Sequence, residues 1–590
     1  MQLNSDHFDD EITTWTIMPD GHPAAVPFGQ KMNFARGITV EAWIETTDSR
    51  AEVWQELVSQ WTPLTSFDTF ESYDAGNTSG LDSAGFFGAV FDGQFIYFVP
   101  QHNRTHRHGN VLRYNTHGGF QDAASWQAFD GGNTRGLKTE GYYGAVFDGR
   151  FVYFVPRLND HGFHTNVLRY DTQGAFDATE SWEAYNAQFE RSYQSAGFDG
   201  RYIYFCPGHA VVPKAQIEAE PQHNSPRVTG LNSDFYQTTQ SLILRYDTQS
   251  SFTDDASWTT YDAANTSGLD TADYDGAVFD GRYMYFMPLS TGALLRYDTT
   301  ADFHGSESWT AYDLNPLGLK LSVGGVFDGR FLYVVPYGET EFAIRYDTHR
   351  KFLDAESWSA YRLADTPGLT TRGFDGGMFD GRYIYFVPFF SGSEFHGVTL
   401  RYDTQGGFLQ PTSWQAVDSS QTGGLTTIGF NAGAFDGRYA YFAPWRDGSD
   451  MLQGVIGNGR VLRYDTLGES GTFSLRFCDY GHNGGLCAAV PGMRFLVNTS
   501  EGVRSVAANK VPQAGRHYIA ATYDGSALKL YIDGVLVGEQ AGSGQIVGSD
   551  LELSLGRMLN GGGEFRGKVE RVRVSGVARD GAWVAEEWRS

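Results

Sequence analysis

Residues 86–130 set the pattern of the chain. A run of small and apolar residues, Phe86-Phe87-Gly88-Ala89-Val90-Phe91, meets an Asp92-Gly93 turn and is followed by Phe95-Ile96-Tyr97-Phe98-Val99-Pro100. Short runs rich in aromatic and β-branched residues, bounded by Gly, Asp and Pro, predict strands. The proline, which cannot donate to a ladder, closes the second of them. A third run, Val111-Leu112-Arg113-Tyr114, and a fourth, Ser125-Trp126-Gln127-Ala128-Phe129-Asp130, complete a unit of four predicted strands. The unit then recurs. Its turn returns at Asp148, Asp199, Asp280, Asp328, Asp380 and Asp436, and its Arg-Tyr run at Tyr170, Tyr246, Tyr297, Tyr346, Tyr402 and Tyr464. The Ser-Trp run returns only at Trp182, Trp258, Trp309, Trp358 and Trp414.

Four short strands per period of roughly 50 residues are the signature of a β-propeller blade, and seven copies predict seven blades. Asp-Gly between two β-runs favours a two-residue hairpin with positive φ at both central positions. The run before each turn is therefore the inner strand A, and B, C and D follow outward. Small residues on A, such as Gly276-Ala277 and Gly376-Gly377, suit a crowded centre where backbones converge. One D strand is missing. Thr69-Phe70-Glu71-Ser72-Tyr73-Asp74 matches it in register and precedes the first A strand, so the last blade is expected to draw on both ends of the repeat, hiding its edges. The propeller is placed at 62–467.

The two remaining pieces, 1–61 and 468–590, read as halves of one domain. Ile38-Thr39-Val40-Glu41-Ala42-Trp43-Ile44 and Leu57-Val58-Ser59-Gln60-Trp61 open it. His517-Tyr518-Ile519-Ala520-Ala521-Thr522-Tyr523-Asp524-Gly525, Leu528 to Gly534 and Leu555-Gly556-Arg557 close it. Together these resemble laminin-G-like (concanavalin A-like) jelly-roll domains. The fold class that follows is all-β, a seven-bladed β-propeller inserted into a laminin-G-like jelly-roll β-sandwich. The resemblance implies glycan or protein binding and, in many members, a calcium ion. The family's opening Leu-x-Phe-Asp-Gly-x-Asp-Asp is matched by Leu3-Asn4-Ser5-Asp6-His7-Phe8-Asp9-Asp10, with His7 in place of Gly, and its closing Gly-x-Ile-Asp-Glu-Val by Gly567-Lys568-Val569-Glu570-Arg571-Val572. Asp6 and Asp9 keep the oxygen ligands of a hard cation.

Composition narrows the partners. Forty-four basic against seventy acidic residues give a net charge of −26, which argues against nucleic acid or an anionic membrane. No apolar stretch approaches the ~20 residues of a membrane-spanning helix. Met1 to Pro19 lack the basic start and apolar core of a secretory signal, leaving location open between a cell interior and extracellular or particle-associated use. Cys206 reads as buried and apolar. Cys478 and Cys487 flank a possible hairpin and are candidates for a disulfide.

Candidate chemistry gathers on the face of the B-to-C and D-to-A loops, which differ most among the copies. His108, His164 and His396 share one repeat position and read as scaffold. His102, His106 and His161 depart from it and are candidate ligand contacts, as is Trp445 in the loop of blade seven. A second set stands five positions before each turn Asp: Phe87, Tyr143, Gln194, Asp275, Val323, Asp375 and Asn431. Their neighbours hardly change between copies, whereas they do. Aromatic faces beside carboxylates and amides suit sugars, whose C–H faces stack and whose hydroxyls take paired hydrogen bonds.

Three readings stand. The first is a non-enzymatic recognition protein that binds a glycan or glycosylated surface through this loop face, the jelly roll assisting. The second is a polysaccharide-degrading enzyme using Asp275 and Asp375 as acid and base. The third is an adhesive or structural subunit of a fibre or phage-tail-like assembly with protein partners.

Overall fold

The structure, a computed structural model, describes residues 4–9, 12–16, 24–26, 37–46, 55–61, 67–187, 191–213, 235–239, 241–448, 456–466, 471–478, 492–508, 512–548, 553–556, 565 and 567–589. Among them the seven repeats are seven antiparallel sheets with strands in the order A-B-C-D. Blade one consists of Phe86–Phe91, Phe95–Pro100, Asn110–Asn115 and Trp126–Asp130. In blade three, strand B runs on to Pro213 and pairs with an extra strand, Phe235–Thr239. Blade seven closes as its missing strand requires: Phe70–Asp74 pairs with Arg460–Asp465, Tyr73 opposite Val461.

One expectation about the turns is corrected. Asp92 N–H bonds Phe95 O at 3.1 Å, so Gly93 and Gln94 are the central residues, and only the glycine has positive φ, at 106°. That is the II′ pattern, not I′. The aspartate stands before the turn and organises it. Its Oδ1 accepts from the N–H groups of Gln94 and Phe95 at 2.8 and 2.6 Å, and its Oδ2 from the Tyr97 hydroxyl at 2.7 Å. The same three bonds recur in later blades, for example around Asp380 with Arg382, Tyr383 and Tyr385.

The blades are stapled to one another by the arginine of the Arg-Tyr run. Arg113 of blade one lies 4.0 Å from the ring centre of Phe95 in its own blade and 4.1 Å from that of Phe176 in the next. Arg296 sits likewise between Tyr283 and Phe352, and Arg463 of blade seven between Tyr439 and Phe120 of blade one. A planar cation sandwiched between two aromatic faces combines cation–π attraction with stacking that a lysine cannot reproduce.

The flanking segments build one sandwich. Its seven-stranded sheet runs Asn4–Asp9, Ile12–Thr16, Gly567–Ser575, Ile38–Thr46, Gly515–Tyr523, Ala527–Ile532 and Val535–Ala541. Its six-stranded sheet runs Ala24–Val26, Leu553–Leu555, Gln55–Ser59, Phe473–Cys478, Gly492–Thr499 and Gly502–Ala508. Both sheets mix strands from the two ends of the chain. Ile38, Val40, Leu57, Phe473, Phe495, Ile519, Leu530 and Val572 are among the side chains buried between them. Residues 62–66 and 467–470 lie outside the described residues, as do Cys487 and the Cys478 side chain of the candidate disulfide. No described helix is long and apolar enough to cross a membrane.

The sandwich meets the propeller at its A-to-B turns. Arg494 lies over the Phe91 ring at 4.6 Å and donates to Gly93 O at 3.3 Å, and Arg476 donates to Gly437 O at 3.4 Å. The opposite face, carrying the B-to-C and D-to-A loops, lies away from this contact.

Candidate functional site

Each A strand carries a β-bulge at the same place. In blade two Tyr142 faces Pro156 and Ala145 faces Phe154, so Tyr143 and Gly144 together oppose one residue. A bulge leaves the ladder and re-aims its side chain, and here the re-aimed residue is the varied one, five before the turn Asp. The next residue takes positive φ: Gly88, Gly144, Gly276, Gly324 and Gly376 do so without a Cβ, while Ser195 and Ala432 accept it with one. Blades also touch here. A Cβ added to Gly276 would lie 2.6 Å from the Cα of Gly324. Tight central backbones with bulged side chains between them are what the small residues of strand A permit.

Phe87, Tyr143, Asp275, Val323, Asp375 and Asn431 line one cavity of about 40 Å³ at this centre. The ring has two sectors. In blades one and two the Phe87 and Tyr143 rings stack with centroids 3.4 Å apart, and Phe87 meets Trp445 edge-on at 5.3 Å. In the other blades the residues are mainly polar and buried. Asn431 donates through Nδ2 to Asp375 Oδ2 at 2.7 Å. Burial pushes the Asp275 carboxyl up to about 8, the Arg157 charge opposing and Asp273 reinforcing that shift. Burial also holds Asp375 well above the usual carboxylate range, and the Asp275 charge adds to it.

A second tier covers the first, formed by the residue after each B-strand proline: Gln101, Arg157, Gly208, Leu289, Tyr337, Phe389 and Trp445. Phe389 stacks between Tyr337, at 5.7 Å, and Trp445, at 5.3 Å, and the Trp445 indole donates to Gln101 Oε1 at 3.2 Å. Arg157 lies 3.6 Å from the centre of the Tyr143 ring and Arg446 the same way over Trp445 at 3.7 Å. Neither guanidinium has a carboxylate partner among the described residues, and burial lowers the Arg446 pKa to about 10. Of this tier the sequence reading singled out Trp445 alone. The signal was present, because the proline is constant while its successor changes in every blade.

The candidate histidines do not converge. His102 is half-buried with Nδ1 on Asn103 O at 2.7 Å, while His106 and His161 are exposed. Among the described residues no three His, Cys, Asp or Glu side chains are grouped to hold a metal. Two of the three scaffold histidines bond a carbonyl as their shared position suggests, His164 Nε2 with Glu140 O at 2.8 Å and His396 Nε2 with Gly373 O at 2.9 Å, while His108 Nε2 lacks that bond. Asp275, Asp375 and Asn431 come together with Phe87 and Tyr143, but beneath the second tier, so a cavity of 40 Å³ takes water or an ion and no sugar ring, while the Gln194 side chain packs against Gly208 and does not line it. Asp6 and Asp9 stand on the first strand of the sandwich, and their side chains are outside the described residues.

A larger cavity of about 780 Å³ lies between the domains, lined by His117, Arg438, Arg463, Arg494 and Arg504 among others. Three of these arginines pair with Asp465, Glu71 and Glu501.

Residues 462–585 match the sequence profile of the Concanavalin A-like lectin/glucanases superfamily, in its laminin G form. That stretch covers the second half of the sandwich, and the structure adds the strands between residues 4 and 59. No curated protein matches this sequence. Among solved structures, one titled "Crystal Structure of Mitotic Checkpoint Complex" aligns at 9% identity over 69% of this chain and 97% of its own, with a TM-score of 0.39. A functionally unknown protein from Desulfotomaculum acetoxidans DSM 771 aligns at 14% identity over 64% of this chain and 99% of its own, with a TM-score of 0.35.

Proposed function

We propose that this protein recognises carbohydrate at the centre of the loop face, and that the sugars it prefers carry a carboxylate. The concanavalin A-like match supports a carbohydrate-binding or recognition role in general. The observation that carries the finer reading is the pairing of Arg157 with Tyr143 of the first tier and of Arg446 with Trp445 of the second. Two guanidinium groups without carboxylate partners lie on Tyr143 and Trp445, beside Tyr337 and Phe389. Aromatic faces take the C–H side of a pyranose, and a planar fork of N–H donors grips a carboxylate bidentately. The negative charge of the whole molecule does not oppose this, because two local cations set the field at the mouth.

The enzymatic reading draws on Asp275 and Asp375, since a carboxyl raised to about 8 suits a general acid. Both lie below the second tier, next to a cavity far smaller than a substrate pocket of 300–1,000 Å³. Recognition is therefore the better-supported reading.

The test is a binding screen of neutral and uronic-acid oligosaccharides, with products monitored. Retention of acidic oligosaccharides is expected, weakened at least tenfold in Arg157→Ala and in Tyr337→Ala. Equal retention of neutral sugars removes the charge selectivity, cleavage products restore the enzyme, and no retention at all sinks the carbohydrate reading.

A further inference from the structure

The polar sector of the ring has too few hydrogen bonds for its burial. Asp275 is 6% exposed and makes no hydrogen bond or ion pair among the described residues, and Asp375, 2% exposed, receives only the bond from Asn431, leaving Oδ1 without a partner. Asn431, having given its N–H, leaves its own Oδ1 bare, and neither amide atom of Gln194 finds a partner. Both are 1% exposed. A carboxylate withdrawn from water without partners costs several kcal/mol, and bare amide oxygens add to that cost. The Arg157 charge relieves it only in part. Arg157 rests on the Tyr143 ring and forms no ion pair with either carboxylate.

Almost everything left over is oxygen. Asp275, Asp375 and Asn431, from blades four, six and seven, line a cavity with room for more than one water-sized particle. We propose that this axial cavity is a cation site, in which the carboxylates of Asp275 and Asp375 and Asn431 Oδ1 hold a divalent ion of the calcium class. Two negative charges match two positive ones. The donors are hard oxygens without imidazole or thiolate, which favours a hard cation over zinc and the softer metals. An irregular set of carboxylate and amide oxygens suits calcium, whereas magnesium demands near-ideal octahedral geometry and keeps several waters. The ion would tie three blades together at the axis. This site is separate from the saccharide reading, which rests on the tier above, and from the Asp6 and Asp9 position in the sandwich.

The full-length protein, stripped with a chelator and dialysed, is titrated with calcium by calorimetry and melted with and without it. A Asp6→Asn/Asp9→Asn background removes the other candidate site. In that background one equivalent of calcium is expected to bind and to raise the melting temperature, with magnesium much weaker. Asp375→Asn is expected to weaken calcium at least tenfold, and Asn431→Asp, which adds a charge, to tighten it. Unchanged calcium affinity in Asp375→Asn overturns the site. So does the absence of calcium binding at millimolar concentration, in which case a shared proton and water occupy the cavity. Should Asp375→Asn fail to fold, unchanged affinity in Asn431→Asp overturns it equally.

Discussion

Single side chains in this protein do one of two jobs, and repetition separates them. The turn aspartate is constant because it accepts three hydrogen bonds at once. The residue five before it changes because the bulge frees its side chain from the ladder. That contrast was legible in the sequence, and it located the ring. Orientation and depth were not legible: nothing in the pattern showed that Phe87 would stack on Tyr143, or that Phe389 would stack between Tyr337 and Trp445, since each contact joins side chains of different blades and no single repeat contains both partners. The scaffold histidines were legible and yield a prediction. Burial lowers His164 to about 4 against about 6.5 unfolded. The folded state thus binds fewer protons in between, so this contribution is complete above pH 6.5 and is lost as pH falls towards 4. It amounts to at most about 3 kcal/mol. Chemical denaturation of wild type and His164→Gln across pH 4–7 should show a shallower loss of stability in the variant. Parallel curves would mean that His164 titrates in the fold as it does unfolded.

At the scale of the strand and turn, local sequence chemistry predicted existence and order correctly but misjudged the hairpin type. An Asp-Gly pair suggests two left-handed residues, yet the aspartate gains more from its side-chain bonds outside the turn than from entering it. The bulges were invisible, because an extra residue in a strand leaves no mark when every copy carries it. Their cost and use are testable at Gly276, where φ is +115° and an added Cβ would press on the neighbouring blade. Gly276→Ala is expected to lose about 2–3 kcal/mol in urea unfolding. Gly268→Ala, also at positive φ but facing open space, should lose only about 1 kcal/mol. Equal losses would show that backbone strain alone, and not the contact between blades, governs the position. The arginine staples were read simply as part of a strand; their role needs the partner ring from the next blade, which no single repeat contains.

For the whole molecule the arithmetic of strands was decisive. Counting seven C strands and one missing D strand gave the shared closing blade, and two half-sandwiches gave the interleaved insertion. How the sandwich sits on the propeller was beyond the sequence, because Arg476 and Arg494 reach carbonyl oxygens of turns that any residue could supply. Arg494→Ala removes a cation–π contact and a hydrogen bond between domains, and is expected to lower stability by about 1–2 kcal/mol. Scanning calorimetry should then resolve two transitions in place of one; a single unshifted transition would show that the domains are coupled elsewhere. The closing blade also sets a timetable for synthesis. Glu71 must wait for Arg463, 392 positions later, before the ring can shut. At roughly 5–20 residues per second that is about 20–80 s on the ribosome, during which an arc that grows to six blades exposes both its flanks. Such an arc invites pairing with a neighbouring nascent chain, so the crowding of ribosomes on one message, more than the stability of the finished ring, would govern how much of the protein is recovered intact.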